Sequence, residues 1–321
     1  LYDFQRTPHY TVPARNNLLK YSRENNLYNP RAPIGYDDDL YVEEVKTHYS
    51  NFRLKAQNSV AALALPINEE SALEVSKYRR DEVYEDRWEK GGVPFIAAFQ
   101  DLNFNRQANE TAAEFVRSKI KNLVKDHKTA EILTPKYPIG CKRLAVDSNY
   151  YETFNKPNIS LIDLNREPLD EFITNGLSTD KSIYDLDVII LATGFDAMTG
   201  ALLSIDILGK DNIKLSEKWK EGPRSYLGLS IQGFPNFFTV TGPGSPSVLT
   251  NMMVAIEQHV EWIYNCIKYL YDIDKKEIEA DLVAENNWMD HVGDVATDTL
   301  RDTCNSWYVG ANVPGKKRVF M

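Results

Sequence analysis

Asp187-Val-Ile-Ile-Leu-Ala-Thr-Gly-Phe-Asp196 is the stretch whose reading decides the fold. Its apolar, β-branched run from Asp187 to Ala192 reads as a buried strand, and Thr193-Gly194 as the small-residue turn that ends it. A second stretch repeats the plan: Phe234-Pro-Asn-Phe-Phe-Thr-Val-Thr-Gly-Pro-Gly-Ser-Pro-Ser-Val-Leu-Thr-Asn-Met252. There the turn opens a long amphipathic helix. A strand, a tight glycine turn and a helix N-terminus together make a place for a phosphate or a polarised ring oxygen. Two such junctions close together in sequence imply an α/β protein that holds a nucleotide cofactor.

The totals agree with a globular protein. The 321 residues are 43% hydrophobic and 26% charged, and 37 Lys and Arg against 46 Asp and Glu give a net charge of −9. That balance argues against nucleic acid as a partner. No apolar run reaches transmembrane length. Cys141, Cys266 and Cys304 lie far apart with no Cys-x-x-Cys pair. They offer no metal site and fit a reducing, cytoplasmic compartment. The opening Leu1-Tyr-Asp-Phe-Gln-Arg-Thr7 has no initiator Met and no targeting character, so a fragment entered inside a domain is expected.

Along the chain, residues 1–13 read as a strand and its turn. Residues 14–140 are polar and mostly helical in pattern. The clearest case is Ala108 to Lys125, where Ala112, Phe115, Val116, Lys119, Ile120 and Leu123 follow i, i+3, i+4 spacing. Asn25 to Asp39 reads as loop. Pro135 to Gly140 closes the block, and strand patterns begin at Cys141. Asn158 to Asp163 reads as a strand, and Glu171 to Ser178 as a hairpin with Asn175-Gly176 at its tip. The helix after Ser247 carries Met252, Met253, Ile256, Val260, Ile263, Ile267 and Leu270 on one face, with Ser245 or Ser247 as its cap.

Gly242-Pro-Gly-Ser-Pro-Ser247 fits GxGxxS, but Pro243 and Pro246 remove two N–H donors that a pyrophosphate loop uses. A helix N-terminus facing a flavin ring fits better, and an ordinary strand–helix turn fits as well. Lys142-Arg143 and Arg6-Thr7 could together supply the cations and hydroxyl that hold a 2′-phosphate; the bland reading is solvated surface charge. His259 is read as structural. Trp307-Tyr308 opens a Gly/Pro loop that suits a lid or a surface turn. The chain has no HExxH and no GxSxG, which leaves no zinc-protease or elbow-type esterase pattern.

Several segments together carry a resemblance. They are Phe4-Gln-Arg-Thr-Pro8, Val12-Pro-Ala-Arg-Asn16, Lys142-Arg143, Tyr150-Tyr151, Leu191-Ala-Thr-Gly-Phe-Asp-Ala197, Gly242 to Ser247, Ile256-Glu-Gln-His-Val-Glu-Trp262 and Ser306 to Lys316. The chain resembles the C-terminal part of a Baeyer–Villiger monooxygenase of the phenylacetone and cyclohexanone monooxygenase type. The resemblance implies an α/β fold: part of a flavoprotein with two dinucleotide-binding, Rossmann-like domains and a helical insertion. Residues 1–13 and 141–187 become the remainder of an NADPH-binding domain, 14–140 the insertion, and 188–321 part of the FAD-binding domain. The family's FxGxxxHxxxW signature and its pyrophosphate fingerprints are not in this sequence.

The implied activity uses FAD, NADPH and O2 to insert one oxygen beside a ketone carbonyl, giving an ester or lactone. Arg143 matches the arginine beside the flavin. Arg6, Thr7 and Lys142 match the contacts to the 2′-phosphate. Thr193, Gly194 and Met252 match cofactor contacts near the flavin, and Trp307 the aromatic of a loop that closes over NADP. Ser247, Val248 and Leu249 match a substrate-pocket segment. Two alternatives stand beside this reading: a flavin monooxygenase that oxidises nitrogen or sulfur, and a non-catalytic remnant.

Overall fold

The computed structural model describes residues 1–14, 20–22, 27–29, 38–63, 65, 67–311, 313–315 and 317–320. Its strands are β1 (Tyr2–Gln5), β2 (Thr11–Pro13), β3 (Lys20–Ser22), β4 (Leu27–Asn29), β5 (Ala145–Asp147), β6 (Ser160–Asp163), β7 (Leu169–Ile173), β8 (Gly176–Thr179) and β9 (Ile183–Asp185). Its α-helices are α1 (Asp38–Gln57), α2 (Lys77–Lys90), α3 (Arg106–Leu123), α4 (His127–Leu133), α5 (Tyr150–Thr153), α6 (Gly200–Leu203), α7 (Leu215–Lys218), α8 (Met252–Asp272) and α9 (Leu282–Thr297). Two compact units result: Leu1–Tyr36 with Ile67–Gly194, and Asp37–Pro66 with Phe195–Met321.

In the first unit β1 pairs in parallel with β6, and β2 in parallel with β5. Helices occupy the long connection between these partners, as a parallel pair requires. The core lies between the helices. Ala108, Ala112, Val116 and Ile120 fall on one face of α3 and are fully buried, as their four-residue spacing predicts. Tyr84, Trp88, Phe95, Phe99 and Phe115 pack around them with edge-on and tilted rings 5.3–6.4 Å apart. Such pairs add about 0.5–1.5 kcal/mol each beyond area burial. Asn105 caps α3 by accepting from the Gln107 and Ala108 N–H groups.

The hairpin expected at 171–178 is present as β7–β8, and β9 extends it to a three-stranded meander. Its two-residue turn is Thr174-Asn175, because Ile173 pairs with Gly176. Gly176 is a strand residue where β9 passes very close: a Cβ there would lie 1.8 Å from the Tyr184 carbonyl oxygen.

In the second unit Leu215, Trp219, Ile231 and Phe234 form a small core. Glu285 of α9 is fully buried and accepts from the Gln232 N–H at 3.1 Å, with the Lys218 ammonium 3.4 Å away. Arg53 of α1 pairs with Glu257 of α8 at 2.8 Å.

Four expectations are corrected. Residues 187–192 form no strand and pair with no described strand, and Val188, Ile190 and Leu191 are exposed. The apolar run has the composition of a buried strand without the neighbours that would make it one. Phe234 to Val240 forms no strand; only the bridge between Ser230 and Phe238 is made. Ser245 does not cap the long helix, since its hydroxyl bonds the Gly242 carbonyl at 2.8 Å. A 3-10 turn, Ser247–Leu249, intervenes, and Asn251 takes the cap position of α8. Finally, α8 buries Ala255 and His259, whereas Met253, Val260 and Ile267 of the expected apolar face are exposed. The expected loop at 25–39 lies partly outside the described residues, and its described part includes β4 and the start of α1. Arg15 and Asn16 of the resemblance also lie outside them.

One buried side chain ties the helical core to the loop before Lys142. Asn109 on α3 donates to the Leu102 and Ile139 carbonyls at 2.8 and 2.7 Å and accepts from the Ile139 N–H at 3.0 Å. Asn109→Ala leaves three buried backbone groups unmatched, so urea unfolding should show a loss of about 2–4 kcal/mol. Asn109→Asp should cost at least as much at neutral pH, because it faces two carbonyls with an acceptor. A loss under about 1 kcal/mol for both variants would mean that water replaces the amide readily.

Candidate functional site

Ligands of open parallel sheets bind beyond the carboxyl ends of the strands. A cavity of the first unit lies in that place. Gln5, Arg6, Thr7 and Pro8 line it from the end of β1, and Asp163, Asn165 and Arg166 from the end of β6. Glu131, Ile132, Thr134, Lys136 and Tyr137 close the other side, and the volume is about 530 Å³. Asn165 joins the two strand ends by donating to the Arg6 carbonyl at 2.6 Å and to Asp163 at 2.9 Å. Gln5 donates to the Ile132 carbonyl at 3.2 Å and fixes the α4 wall.

The charge at this cavity is uneven. Arg166 lies 3.5 Å from Asp163. Arg6 and Lys142 have no ion pair among the described residues. Burial holds the Lys142 ammonium below the ordinary lysine range, and the positive charge of Arg6 lowers it further. Lys142 also rests over the Tyr137 ring, 4.8 Å from its centroid. Two cations held near one another without an acid repel, and an anion between them relieves that repulsion. The pair therefore suits an anion such as a phosphate, with the exposed Thr7 beside Arg6 as a hydroxyl donor.

Arg143 follows Lys142 directly and is exposed, and its side chain makes no ion pair among the described residues. Its backbone is fixed by a residue that sequence reasoning passed over. The His9 Nε2 lies 2.7 Å from the Arg143 carbonyl oxygen, and its Nδ1 lies 2.7 Å from the Tyr137 hydroxyl. A carbonyl only accepts, so Nε2 carries the proton and Nδ1 of the neutral ring accepts from Tyr137. Burial holds His9 below the usual histidine value; the bond to Arg143 opposes this and the Lys142 charge adds to it. The structure thus brings together Arg6, Thr7, Lys142 and Arg143 from two distant parts of the sequence. Their only sequence signal for His9 and Tyr137 is position: Thr-Pro-His after Arg6, and Tyr-Pro-Ile-Gly before Cys141.

The remaining candidates stand elsewhere. Thr193 and Gly194 are exposed at the end of that apolar run, and a Cβ on Gly194 would meet nothing within 4 Å. Val248 and Leu249 are half-buried in the 3-10 turn that also contains Ser247, whose side chain lies outside the description. Met252 begins α8. Trp307 starts a 3-10 turn and packs on Tyr308 at 4.3 Å between ring centroids. His259 is buried, and its Nδ1 accepts the Thr241 N–H at 2.9 Å, which holds the turn before Gly242. Among the described residues no His, Cys, Asp and Glu group could hold a metal ion, and no helix is long and apolar enough to cross a membrane.

No family model matches the chain. Individual proteins do. A 2-oxo-Δ3-4,5,5-trimethylcyclopentenylacetyl-CoA monooxygenase of Pseudomonas putida is 38% identical over 311 residues, which are 96% of this chain and 54% of that protein. A Baeyer–Villiger monooxygenase of Pseudooceanicola batsensis is 36% identical, covering 97% and 57%. A phenazine N-monooxygenase of Lysobacter antibioticus is 33% identical, covering 98% and 54%. Among solved structures, an oxidised steroid monooxygenase bound to NADP superposes with a TM-score of 0.86 at 42% identity, over 100% of this chain and 57% of that one. A closed cyclohexanone monooxygenase does so with 0.90 at 34%, over the same shares. The resemblance to Baeyer–Villiger monooxygenases therefore extends along nearly the whole chain, and the α/β fold is that of these flavoproteins. The chain spans about half the length of the curated relatives it matches.

Burial lowers His259 as it does His9. A histidine lowered on folding contributes stability that is complete above its ordinary value, near 6.5, and is lost as pH falls through the lowered folded value. Urea unfolding should therefore show the chain losing stability as pH falls below about 6.5. His259→Gln, which loses this titration, should flatten part of the curve. A stability curve with the same slope in wild type and variant would remove His259 from the account.

Proposed function

We propose that this chain carries the coenzyme-discriminating and Arg143-bearing part of an NADPH- and FAD-dependent monooxygenase. The reaction is insertion of one oxygen of O2 beside the carbonyl of a small-molecule ketone, giving an ester or lactone. The observation that supports this most directly is the pair of Arg6, just past the carboxyl end of β1, and Lys142, whose ammonium feels the Arg6 charge, neither of them ion-paired with a described acid. The comparisons support it with relatives of that activity and with a neighbour solved with NADP. In this reading residues 1–13 and 141–187 belong to the NADPH-binding domain, 14–140 to its insertion and 188–321 to the FAD-binding domain.

Bound FAD supplies the oxygen-transfer chemistry. The chain's own residues recognise and orient. Arg6, Thr7 and Lys142 grip the 2′-phosphate, and Trp307 closes over the coenzyme. Ser247, Val248 and Leu249 border the ketone, while Thr193, Gly194 and Met252 contact the flavin. Arg143 holds a guanidinium, charged at every working pH, where negative charge develops. A second reading, oxidation at nitrogen, is favoured by one finding, the phenazine N-monooxygenase among the relatives. Parallel assays of the flavin-loaded protein with a cyclic ketone and an N-heterocycle separate the two: lactone alone supports the first reading, N-oxide alone the second.

Arg143→Ala should leave NADPH-dependent flavin reduction intact and lower ester formation by about 10²–10³-fold, the usual loss for one positioned oxyanion stabiliser. Lactone formation within a few-fold of wild type would return Arg143 to a surface role.

Arg6→Ala and Lys142→Ala should each raise the KM for NADPH about ten-fold, since a hydrogen bond to a charged group contributes about 1.5–3 kcal/mol. NADH kinetics should barely move, and the comparison belongs at one salt concentration because screening weakens an exposed phosphate site. Equal losses with both coenzymes would point to a damaged fold instead.

A further inference from the structure

Tyr137 is neither a strand nor a helix residue, yet three separate contacts converge on it. Its hydroxyl lies 2.7 Å from His9 Nδ1, and His9 in turn donates to the Arg143 carbonyl at 2.7 Å. Its ring lies beneath the Lys142 ammonium, 4.8 Å from the centroid. Its edge meets Tyr10 at 5.4 Å and 81°, which fixes the ring plane against the core, because Tyr10 is buried. The same side chain lines the cavity that Arg6 borders.

We propose that Tyr137 is a positioning residue with two separable handles: its ring sets Lys142 for the coenzyme phosphate, and its hydroxyl, through His9, sets the backbone of Arg143. The proposal rests on the coenzyme reading for its first handle only.

The physical argument begins with Lys142. A lysine near an arginine and without an acid swings its long side chain into water unless something attractive holds it. The negative face of an aromatic ring is such a hold, and it leaves the ammonium protons directed outward for a phosphate oxygen. The second handle concerns a peptide, not a side chain. Arg143 lies outside any described strand or helix, so its carbonyl has no ladder partner. His9 supplies that partner only while Nε2 keeps the proton. The Tyr137 hydroxyl enforces that tautomer by donating to Nδ1. The charged group that faces His9 is Lys142, on the same loop as Arg143. Recognition of coenzyme and placement of Arg143 thus depend on one ring.

The handles separate by mutation. Tyr137→Phe keeps the ring and deletes the hydroxyl; Tyr137→Leu deletes both. The 321-residue chain is the sample, and 2′,5′-ADP and 5′-AMP are the probes, differing in the 2′-phosphate. In wild type at pH 7.5, 15N spectra of His9 should show an unprotonated Nδ1 and a protonated Nε2; the opposite tautomer overturns the second handle. In Tyr137→Phe, 15N relaxation should show Arg143 and Leu144 losing backbone order while α3 keeps its own, and 2′,5′-ADP affinity should stay within about two-fold. In Tyr137→Leu, 2′,5′-ADP should weaken about two- to five-fold, the scale of one cation–π contact, with 5′-AMP unchanged. Unchanged order at Arg143 in the Phe variant overturns the hydroxyl's role. Equal weakening of both nucleotides in the Leu variant overturns the ring's role. Should the Leu variant fail to fold, the Phe variant alone still decides the hydroxyl. Failure of the coenzyme reading looks different: wild type itself binds 2′,5′-ADP no better than 5′-AMP while the loss of order in Tyr137→Phe persists, and the first handle falls with it.

Discussion

A loop that is pinned by side chains instead of by a sheet is the constraint on which the rest of the first unit depends. Residues 135–143 run beside the core, and buried backbone groups there need partners. They find them one by one. The Pro135 carbonyl accepts from Arg117 Nε at 2.9 Å and from the Tyr10 hydroxyl at 3.2 Å. Ile139 is held at both its N–H and its carbonyl by Asn109. Arg143 is held by His9. Between these points Gly140 turns the chain with φ +80°, where a Cβ would meet the Ile96 side chain at 2.8 Å. Three fixed peptides leave little freedom for the Lys142-Arg143 step that follows the turn.

That rigidity has an electrostatic purpose. Holding Arg6 and Lys142 close together without a described carboxylate is unfavourable in the chain by itself. A flexible loop would relax by swinging the lysine away. The pinned loop and the Tyr137 ring oppose that relaxation, so the cost is retained until an anion arrives. Preorganised charge of this kind strengthens binding because little rearrangement is left to do. On the proposed reading, discrimination runs through a phosphate and not through the rest of a nucleotide. The unbalanced charge is local, whereas the remaining wall of the cavity includes Glu131 and Asp163 and is close to neutral.

What could be read from the sequence was local and periodic. The buried stripe of α3 followed from its spacing and the strand at 160–163 from its apolar run; the β7–β8 hairpin was legible too, but with its turn at Thr174-Asn175, one residue before the expected Asn175-Gly176 tip. Arg6, Lys142 and Arg143 were legible as cations near strand ends, and Thr7 as a hydroxyl beside them. His9 and Tyr137 were not, because their importance lies in bonds between residues 128 positions apart, which no spacing reports. Periodicity failed in a different way at Val188 to Leu191 and on α8. Those residues have the apolar pattern of covered faces, and in the structure they are exposed. A sequence pattern records the surroundings that a face is suited to. It does not record whether those surroundings are supplied by the same 321 residues, and this chain spans about half the length of its relatives.

Arg143 and Lys142 are neighbours in sequence but are assigned different tasks, and adjacency is what couples them. Lys142 is half-buried and Arg143 exposed, and the proposed tasks are a coenzyme phosphate for the ammonium and the reacting centre for the guanidinium. Displacement of the Arg143 backbone is felt first by its guanidinium, and in a reacting site an ångström of misplacement costs a large factor in rate. The Lys142 ammonium keeps a hold of its own, on the Tyr137 ring 4.8 Å away. His9 links the two segments by geometry: it sits two residues after Thr7 and bonds the Arg143 carbonyl at 2.7 Å. The strand end that carries Arg6 is thereby locked to the loop that carries Lys142, and the distance between the two cations is set by a hydrogen bond to neither of them.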